Sequence, residues 1–376
     1  LDNRLGTGGA ASSSTSAGPA IPEHVDFPLY VATFDATWEI DFFGGKRRQI
    51  EQAVAQAQAA VDRLDDARVP LAAEVGQSYV NLRGAQRRLA LQRRAVELEQ
   101  ETLALGRQRL SQGAASDVDI DRLQSQVMMT ESQIPALRAH IDQALNQLAP
   151  LVGEEPGAID ARLKALRKVP VPPRQVRISN PSELIRRRPD IRAAERSLAA
   201  SNASIGQAVS QLFPKVTLLG NVGYLAPNER SFGTPASLVY NVGPSLQWNV
   251  LDFGRTIARI HGSEAAFDEN LANYRQSVLS ALNDAETALS RFAHQRQTVS
   301  KLAQASATAE HAAALTRERN KAGAVSLIDL LDVERQRLET EQSLAQAQAQ
   351  LTNDFISLEK ALGLGWSAPT IVVASG

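Results

Sequence analysis

LVYNVGPSLQWNV, residues 238–250, sorts its side chains by alternate position. Leu238, Tyr240, Val242, Pro244, Leu246, Trp248 and Val250 form one set, and every member is apolar. Val239, Asn241, Gly243, Ser245, Gln247 and Asn249 form the other, nearly all polar or glycine. Successive residues of a strand point to opposite faces, so this period of two marks a strand with one apolar face. YVATFDATWEID, residues 30–41, has the same rhythm. Tyr30, Ala32, Phe34, Ala36, Trp38 and Ile40 face one way, and Thr33, Asp35, Thr37, Glu39 and Asp41 the other. Two environments produce such a pattern. A soluble sheet buries its apolar face under a core. A membrane β-barrel strand of about 9–11 residues turns that face to lipid and its polar face to water. The alternation alone does not choose between them. Tyr30, Trp38, Tyr240 and Trp248 suit an aromatic belt at a membrane boundary.

The two strands are 210 positions apart, and so is much else. Trp38 matches Trp248, Phe43 matches Phe253, Gly44 matches Gly254, Ile50 matches Ile260, Arg109 matches Arg319 and Gly153 matches Gly363. RQRLSQGAASDVDI at 107–120 echoes RNKAGAVSLIDLL at 319–331, pairing Gly113 with Gly323, Ser116 with Ser326 and Asp119 with Asp329. A fixed offset over this span is the mark of an internal tandem repeat. Each half reads as strand, Phe-Gly, long helix, glycine turn, shorter helix, glycine. The first repeat is 1–153, with a β-hairpin over 5–41 and a helical hairpin over 45–152. A linker follows at 154–180. The second repeat is 181–366, with a helix over 182–211, a β-hairpin over 215–250 and a helical hairpin over 255–362. Residues 367–376 form a tail.

The long segments are 45–112 and 255–322. In the second, Ile257, Ile260, Phe267, Leu271, Val278, Leu282, Leu289 and Phe292 recur at helical spacings. Helices of this size reach roughly 100 Å and need neighbours along their length. Glycines at 76, 84 and 106 weaken the first, and Pro70, whose counterpart is Ser280, predicts a local kink. Return helices are expected at about 117–150 and 326–362, the second with a near-heptad seam of Leu344, Leu351, Phe355, Leu358 and Leu362. At the turns, Gly113 and Gly323 suit left-handed helix caps, Ser116 and Ser326 suit N-caps, and Asp119 and Asp329 fall in the positive first turn. Taken alone, the helices fit a coiled-coil rod; the strands argue against it.

KVTLLGNVGYL at 215–225 is a third strand, and its counterpart LGTGGAASSST at 5–15 is a poor one by propensity. The connecting stretches 12–28 and 227–237, rich in Ser, Pro and Gly, read as loops. Four strands cannot close a barrel, and open edges are not tolerated in lipid, so closure needs other copies of the chain. Three copies supply twelve strands.

Composition narrows the function. The 376 residues carry 40 basic and 41 acidic side chains, so no net field favours nucleic acid. Cysteine is absent, which excludes disulfides, thiolate metal sites and cysteine nucleophiles. No run of 18 apolar residues offers a membrane-spanning helix. His24, His140, His261, His294 and His311 show no metal-ligand spacing. No phosphate loop, nucleophile elbow or kinase signature occurs. The carboxylate pairs Asp65-Asp66 and Glu154-Glu155 lie in polar surroundings, and Arg186–Arg188 read as a solvated or ion-paired run. The chain reads as a non-enzyme without cofactor or metal.

NPSELIRRRPDIRAAERSLAASNASIGQAVSQLFPKVTL, residues 180–218, resembles the signature stretch of TolC-like outer-membrane efflux factors, in the NodT-type lipoprotein subgroup that serves resistance-nodulation-division pumps. WEIDFFG at 38–44 and WNVLDFG at 248–254 are similar to that family's strand-to-helix junctions, and RNKAGAVSLIDLLDVER at 319–335 to its periplasmic tip. The resemblance implies a mixed, mainly α fold. It implies a homotrimer whose strands form a twelve-stranded transmembrane β-barrel above a long α-helical barrel, with 154–180 and the tail in an equatorial belt. The implied function is a passive exit duct of a tripartite system, in the outer membrane of a Gram-negative bacterium and extending into the periplasm. Its implied partners are outer-membrane lipid, a periplasmic adaptor and an inner-membrane pump. Gly113, Ser116, Asp119, Gly323, Ser326 and Asp329 would then mark tips that meet the adaptor, and Ile328, Asp332 and Arg335 the gate just past the inner turn. A lipidated N-terminal cysteine and a further helix ahead of residue 1 are also implied. The other readings are a type I secretion duct and a coiled-coil scaffold without a pore.

Overall fold

The computed structural model describes residues 28–173 and 187–363. Its elements are β1 (Tyr30–Ile40), α1 (Gly45–Ser111), α2 (Asp117–Glu131), α3 (Gln133–Leu151), the single turn α4 (Asp160–Leu163), α5 (Pro189–Ser210), β2 (Lys215–Ala226), β3 (Leu238–Gln247), α6 (Phe253–Lys321) and α7 (Leu327–Ala361). Short 3-10 turns at Glu229–Ser231, Pro235–Ser237 and Val250–Asp252 fill the connections. The fold is mainly helical with one small sheet. The chain divides into two units, one from residues 1–45 and 209–256, the other from 46–208 and 257–376. Both halves of the sequence contribute to each unit.

In the strand unit, β1, β2 and β3 form an antiparallel sheet in that order. The register aligns the alternations of all three strands. Phe34 lies opposite Val222, and Val222 opposite Tyr240; Trp38, Leu218 and Pro244 share another row, as do Ile40, Val216 and Leu246. The polar phase aligns too: Asp35 with Asn221 and Asn241, and Glu39 with Thr217 and Ser245. Val31, Leu219, Leu225 and Val239 are apolar exceptions on that face. Among the described residues nothing covers the apolar face, where Phe34, Trp38, Tyr240, Val242 and Leu246 are between 65% and 79% exposed. Gly223 marks the tightest approach within the sheet. A Cβ there would lie 2.2 Å from the Ala32 carbonyl oxygen and 2.6 Å from Thr33 Cα. The expected strand at 5–15 and most of the loop at 12–28 lie outside the described residues.

The helical unit is assembled from narrow contacts. Leu91, Ala95 and Leu98 of α1 cluster with Leu338 and Ala345 of α7. Leu82 of α1 meets Ala144, Leu145, Leu148 and Ala149 of α3, joined by Ile159. Ala285, Ala288 and Phe292 of α6 meet Leu358, Ala361 and Leu362. Ile191 of α5 packs on Ala281 of α6. The repeated alanines let long helices approach closely. The α1 glycines that weaken the helical pattern serve the same end: Gly76 faces Ile356, Gly84 faces Ala349 and Gly106 faces Leu123.

Two expectations change in detail. The first return helix is broken at Ser132 rather than running through to 150. Pro135, in the first turn of α3, has no N–H for the Glu131 carbonyl. Beside it, the Thr130 carbonyl accepts from Gln92 Nε2 at 2.8 Å. The counterpart of Pro135 is Ala345, and α7 runs unbroken. The helix placed at 182–211 begins at Pro189, which is suited to a first turn; 182–186 lie outside the described residues. α1 is one helix across Pro70. Of the linker 154–180, residues 154–173 are described, and side chains of α1 and α7 fasten them. Arg83, almost wholly buried, donates to the carbonyls of Leu163 (3.0 Å) and Ala165 (2.7 Å). Thr352 Oγ1 donates to the Pro170 carbonyl at 2.6 Å. The tail 367–376 lies outside the described residues.

Gly223→Ala is expected to destabilise the strand unit by about 1–3 kcal/mol, the usual cost of overpacking. Gly243→Ala, with nothing within 4 Å of its Cβ, should stay within about 0.5 kcal/mol of the parent. Thermal unfolding in detergent separates the two, and equal behaviour would contradict the register.

Candidate functional site

The two helical turns have one geometry. At the first, Gly113 takes φ +73°, its N–H donates to the Leu110 carbonyl at 2.9 Å, and the Ala114 N–H reaches back to Arg109 at 2.8 Å. At the second, Gly323 takes φ +72°, with Gly323 to Asn320 at 3.0 Å and Ala324 to Arg319 at 2.9 Å. This double closure satisfies the last carbonyls of the descending helix, and it needs a residue at ease with positive φ. Ser116 Oγ then accepts from the Asp119 N–H at 3.2 Å, and Asp119 Oδ2 accepts from the Ser116 N–H at 3.1 Å, a reciprocal capping box. Ser326 Oγ accepts likewise from the Asp329 N–H at 3.1 Å. The Ser116 hydroxyl holds the Asp119 carboxyl below its ordinary range.

Ile328, Asp332 and Arg335 follow the second turn on one face of α7. They line a cleft of about 100 Å³ with Leu98, Thr102 and Leu123, so the second hairpin meets α1 and α2 of the first here. Asp332 and Arg335 pair at 3.6 Å, and both are well exposed. An exposed pair of this kind is worth about 0–1 kcal/mol and does not hold a helix bundle shut unaided.

A stronger electrostatic feature is centred on Glu334, which falls between Asp332 and Arg335 in the chain, and the sequence reading passed over it. Glu334 is only 7% exposed. It accepts from Arg317 Nε and, at 2.8 Å, from Arg337 Nε. Arg337 also reaches Glu310 at 3.1 Å and Glu341 at 3.2 Å, and Glu341 pairs with Arg87 of α1. Burial pushes the Glu334 carboxyl up, but the hydrogen bonds from the two arginines more than reverse this, leaving it below its ordinary value. The corresponding place in the first hairpin holds Arg107 and Gln124, 3.4 Å apart, with Val127 where Arg337 stands. Of these two corresponding places, only the second holds a buried carboxylate. The signal was present as the Arg317/Glu334 offset of 17, which faces residues across a hairpin.

In the strand unit, aromatics gather at both ends of the sheet. Tyr30 and Tyr224 contact Phe232, at ring separations of 6.4 and 6.1 Å. At the other end, Phe43 stacks on Phe213 at 4.6 Å, Trp248 meets Phe253 edge-on, and Trp248 Nε1 donates to the Leu212 carbonyl. Of the four aromatics expected there, Tyr30 and Trp248 lie in these end clusters. Trp38 lies two rows inside the strand end, and Tyr240 sits within β3, level with Phe34. Among the described residues no group of His, Cys, Asp or Glu is arranged to hold a metal, and no helix is long and apolar enough to cross a membrane.

A sheet with an exposed apolar face and aromatics at both ends, together with a separate unit of long helical hairpins, points to a membrane-inserted class of protein. The model of the family "Outer membrane efflux protein" matches residues 5–154 and 180–364. Nodulation protein T of Rhizobium leguminosarum bv. viciae is 32% identical over 337 residues, which is 89% of this chain and 69% of that protein. Outer membrane protein OprJ of Pseudomonas aeruginosa is 29% identical over 365 residues, 97% of this chain and 73% of that protein. The solved outer-membrane channel OprN superposes with a TM-score of 0.81 at 35% identity, covering 93% of this chain and 79% of that one. The chain belongs to the outer membrane efflux protein family. It is an outer-membrane channel component of a tripartite efflux system, working in the Gram-negative outer membrane and the periplasm.

The Glu334 shift has a definite sign. A carboxyl whose folded pKa is depressed stabilises the fold above its unfolded value, near 4.5, and this is lost as pH falls below that value. The thermal midpoint should therefore fall between about pH 5 and 3, and less steeply in Glu334→Gln. Parallel slopes for the two proteins would remove Glu334 from the network's stabilising role.

Proposed function

We propose that three copies of the chain form one duct, with the strands of all three closing a twelve-stranded barrel through the outer membrane. The long helical hairpins form a second barrel in the periplasm. The observation that carries this reading is the register, which gives the sheet one apolar face with none of the described residues over it and a mainly polar face behind. In a closed barrel that arrangement turns Phe34, Trp38, Val242 and Leu246 to lipid and Asp35, Asn221 and Asn241 to the water inside. Strands of 11, 12 and 10 residues have the length such a span needs. The matching turn geometry at Gly113 and Gly323 supports a tandem repeat in which each half supplies one strand pair and one helical hairpin.

The duct does no chemistry. An inner-membrane pump supplies the energy, and a periplasmic adaptor meets the tips at Gly113, Ser116, Asp119, Gly323, Ser326 and Asp329. The entrance is shut where Ile328, Asp332 and Arg335 of three chains converge. Since an exposed pair contributes little alone, the gate depends on the same residues meeting across protomers, where repetition and partial burial strengthen each contact. Opening moves the second hairpin, whose rigidity comes from the Glu334 network.

Two measurements test this reading. The chain has no cysteine, so single cysteines report cleanly. In membranes Asp35→Cys should react with a water-borne thiol reagent and its neighbour Phe34→Cys should not; equal reactivity would sink the barrel. In planar bilayers, trimers of the full protein carrying Asp332→Ala and Arg335→Ala should conduct more than the parent. Folded double mutants no more conductive than the parent would sink the gate.

A further inference from the structure

Resting on the duct reading, we infer that Asp35 gives the strand-lined part of the pore its charge selectivity, favouring cationic and zwitterionic solutes over anions. Asp35 shares its row with Asn221 and Asn241, on the face opposite Phe34, Val222 and Tyr240. Both neighbours are neutral amides, so the row has a carboxylate and no cation. Thr33 Oγ1 donates to Asp35 Oδ2 at 3.4 Å, from the same face of the same strand. Three chains repeat the row at one level of the lumen, making a ring of three carboxylates. Charged rings of this kind set ion preference in pores, because a low-dielectric wall focuses their field into the water.

The charge inventory of the strands supports the sign. β3 has no ionisable acid or base except Tyr240, and 5–15 has no charged residue. The single basic residue on the strands is Lys215, in the row of Gln247 at the sheet's end. Six residues along the strand separate that row from Asp35's, roughly 20 Å, more than twice the screening length of about 8 Å at physiological salt. Lys215 therefore leaves the Asp35 field intact. Glu39 adds a second acidic position on the same face, level with Thr217 and Ser245.

The experiment uses full-protein trimers in planar bilayers under a potassium chloride gradient. Asp332→Ala/Arg335→Ala serves as the parent, which removes the acidic gate residue from the measurement. The parent should show a reversal potential on the potassium side. Adding Asp35→Asn should move it toward the chloride value, with a larger shift at low salt than at high. Asp35→Cys should behave as Asp35→Asn, and reaction with a negatively charged thiol reagent should restore the parent's potential. That step acts on folded, inserted trimers, so it does not depend on how a substitution folds. Asp35→Asn trimers that conduct with the parent's reversal potential would overturn the selectivity role and leave the duct intact. A parent that never conducts would overturn the duct itself.

Discussion

Lipid offers no hydrogen bonds, so a sheet lying in it survives only if each backbone N–H and C=O finds a partner in protein. β2 meets that condition, with β1 on one side and β3 on the other. β1 and β3 each use one edge within the described sheet, and their other edges require further strands. The proposed duct therefore makes assembly a condition of the fold rather than an addition to it. In the proposed cylinder, the phase with Phe34 and Trp38 would meet hydrocarbon, and the phase with Asp35 and Asn221 would line the way through.

The helical unit solves a different problem. Its helices are far longer than isolated helices of ordinary stability, and their apolar stripes are thin. Stability comes from many small contacts, in which alanine and glycine bring backbones close, with polar side chains crossing between helices. Gln92 illustrates the second device: it donates to the Thr130 carbonyl and accepts from Gln342 Nε2 at 2.9 Å, joining α1, α2 and α7 at one point. Arg83 and Thr352 do the same for the linker. Each bond is modest, but each also satisfies a buried group that would otherwise be costly to leave unpaired.

The turns are alike and the helices behind them are not. Both descending helices end in the same glycine closure, yet the second hairpin has the Arg317–Glu334–Arg337 network and an unbroken return helix. The first has Arg107–Gln124 and a break at Ser132. Proline at 135 and alanine at 345 account for the break, and glutamate against glutamine for the network. The two hairpins thus share a turn and differ in the charge and packing behind it.

Strand periodicity, the offset of 210, the helix lengths and the capping residues at the turns were legible in the sequence, because each depends on local chemistry repeated at a fixed spacing. The family resemblance at 180–218 added the expectation of a trimer without any appeal to distance. Other features depend on residues far apart in the chain. The pairing of β1 with β2, which puts Asp35 beside Asn221, joins positions 186 residues apart. The packing of Gly76 and Gly84 against α7, the anchoring of 163–170 and the burial of Glu334 are of the same kind. Local pattern specifies which face of an element is apolar. Which element meets that face, and which carboxylate is enclosed when it does, is decided only when distant segments pack together.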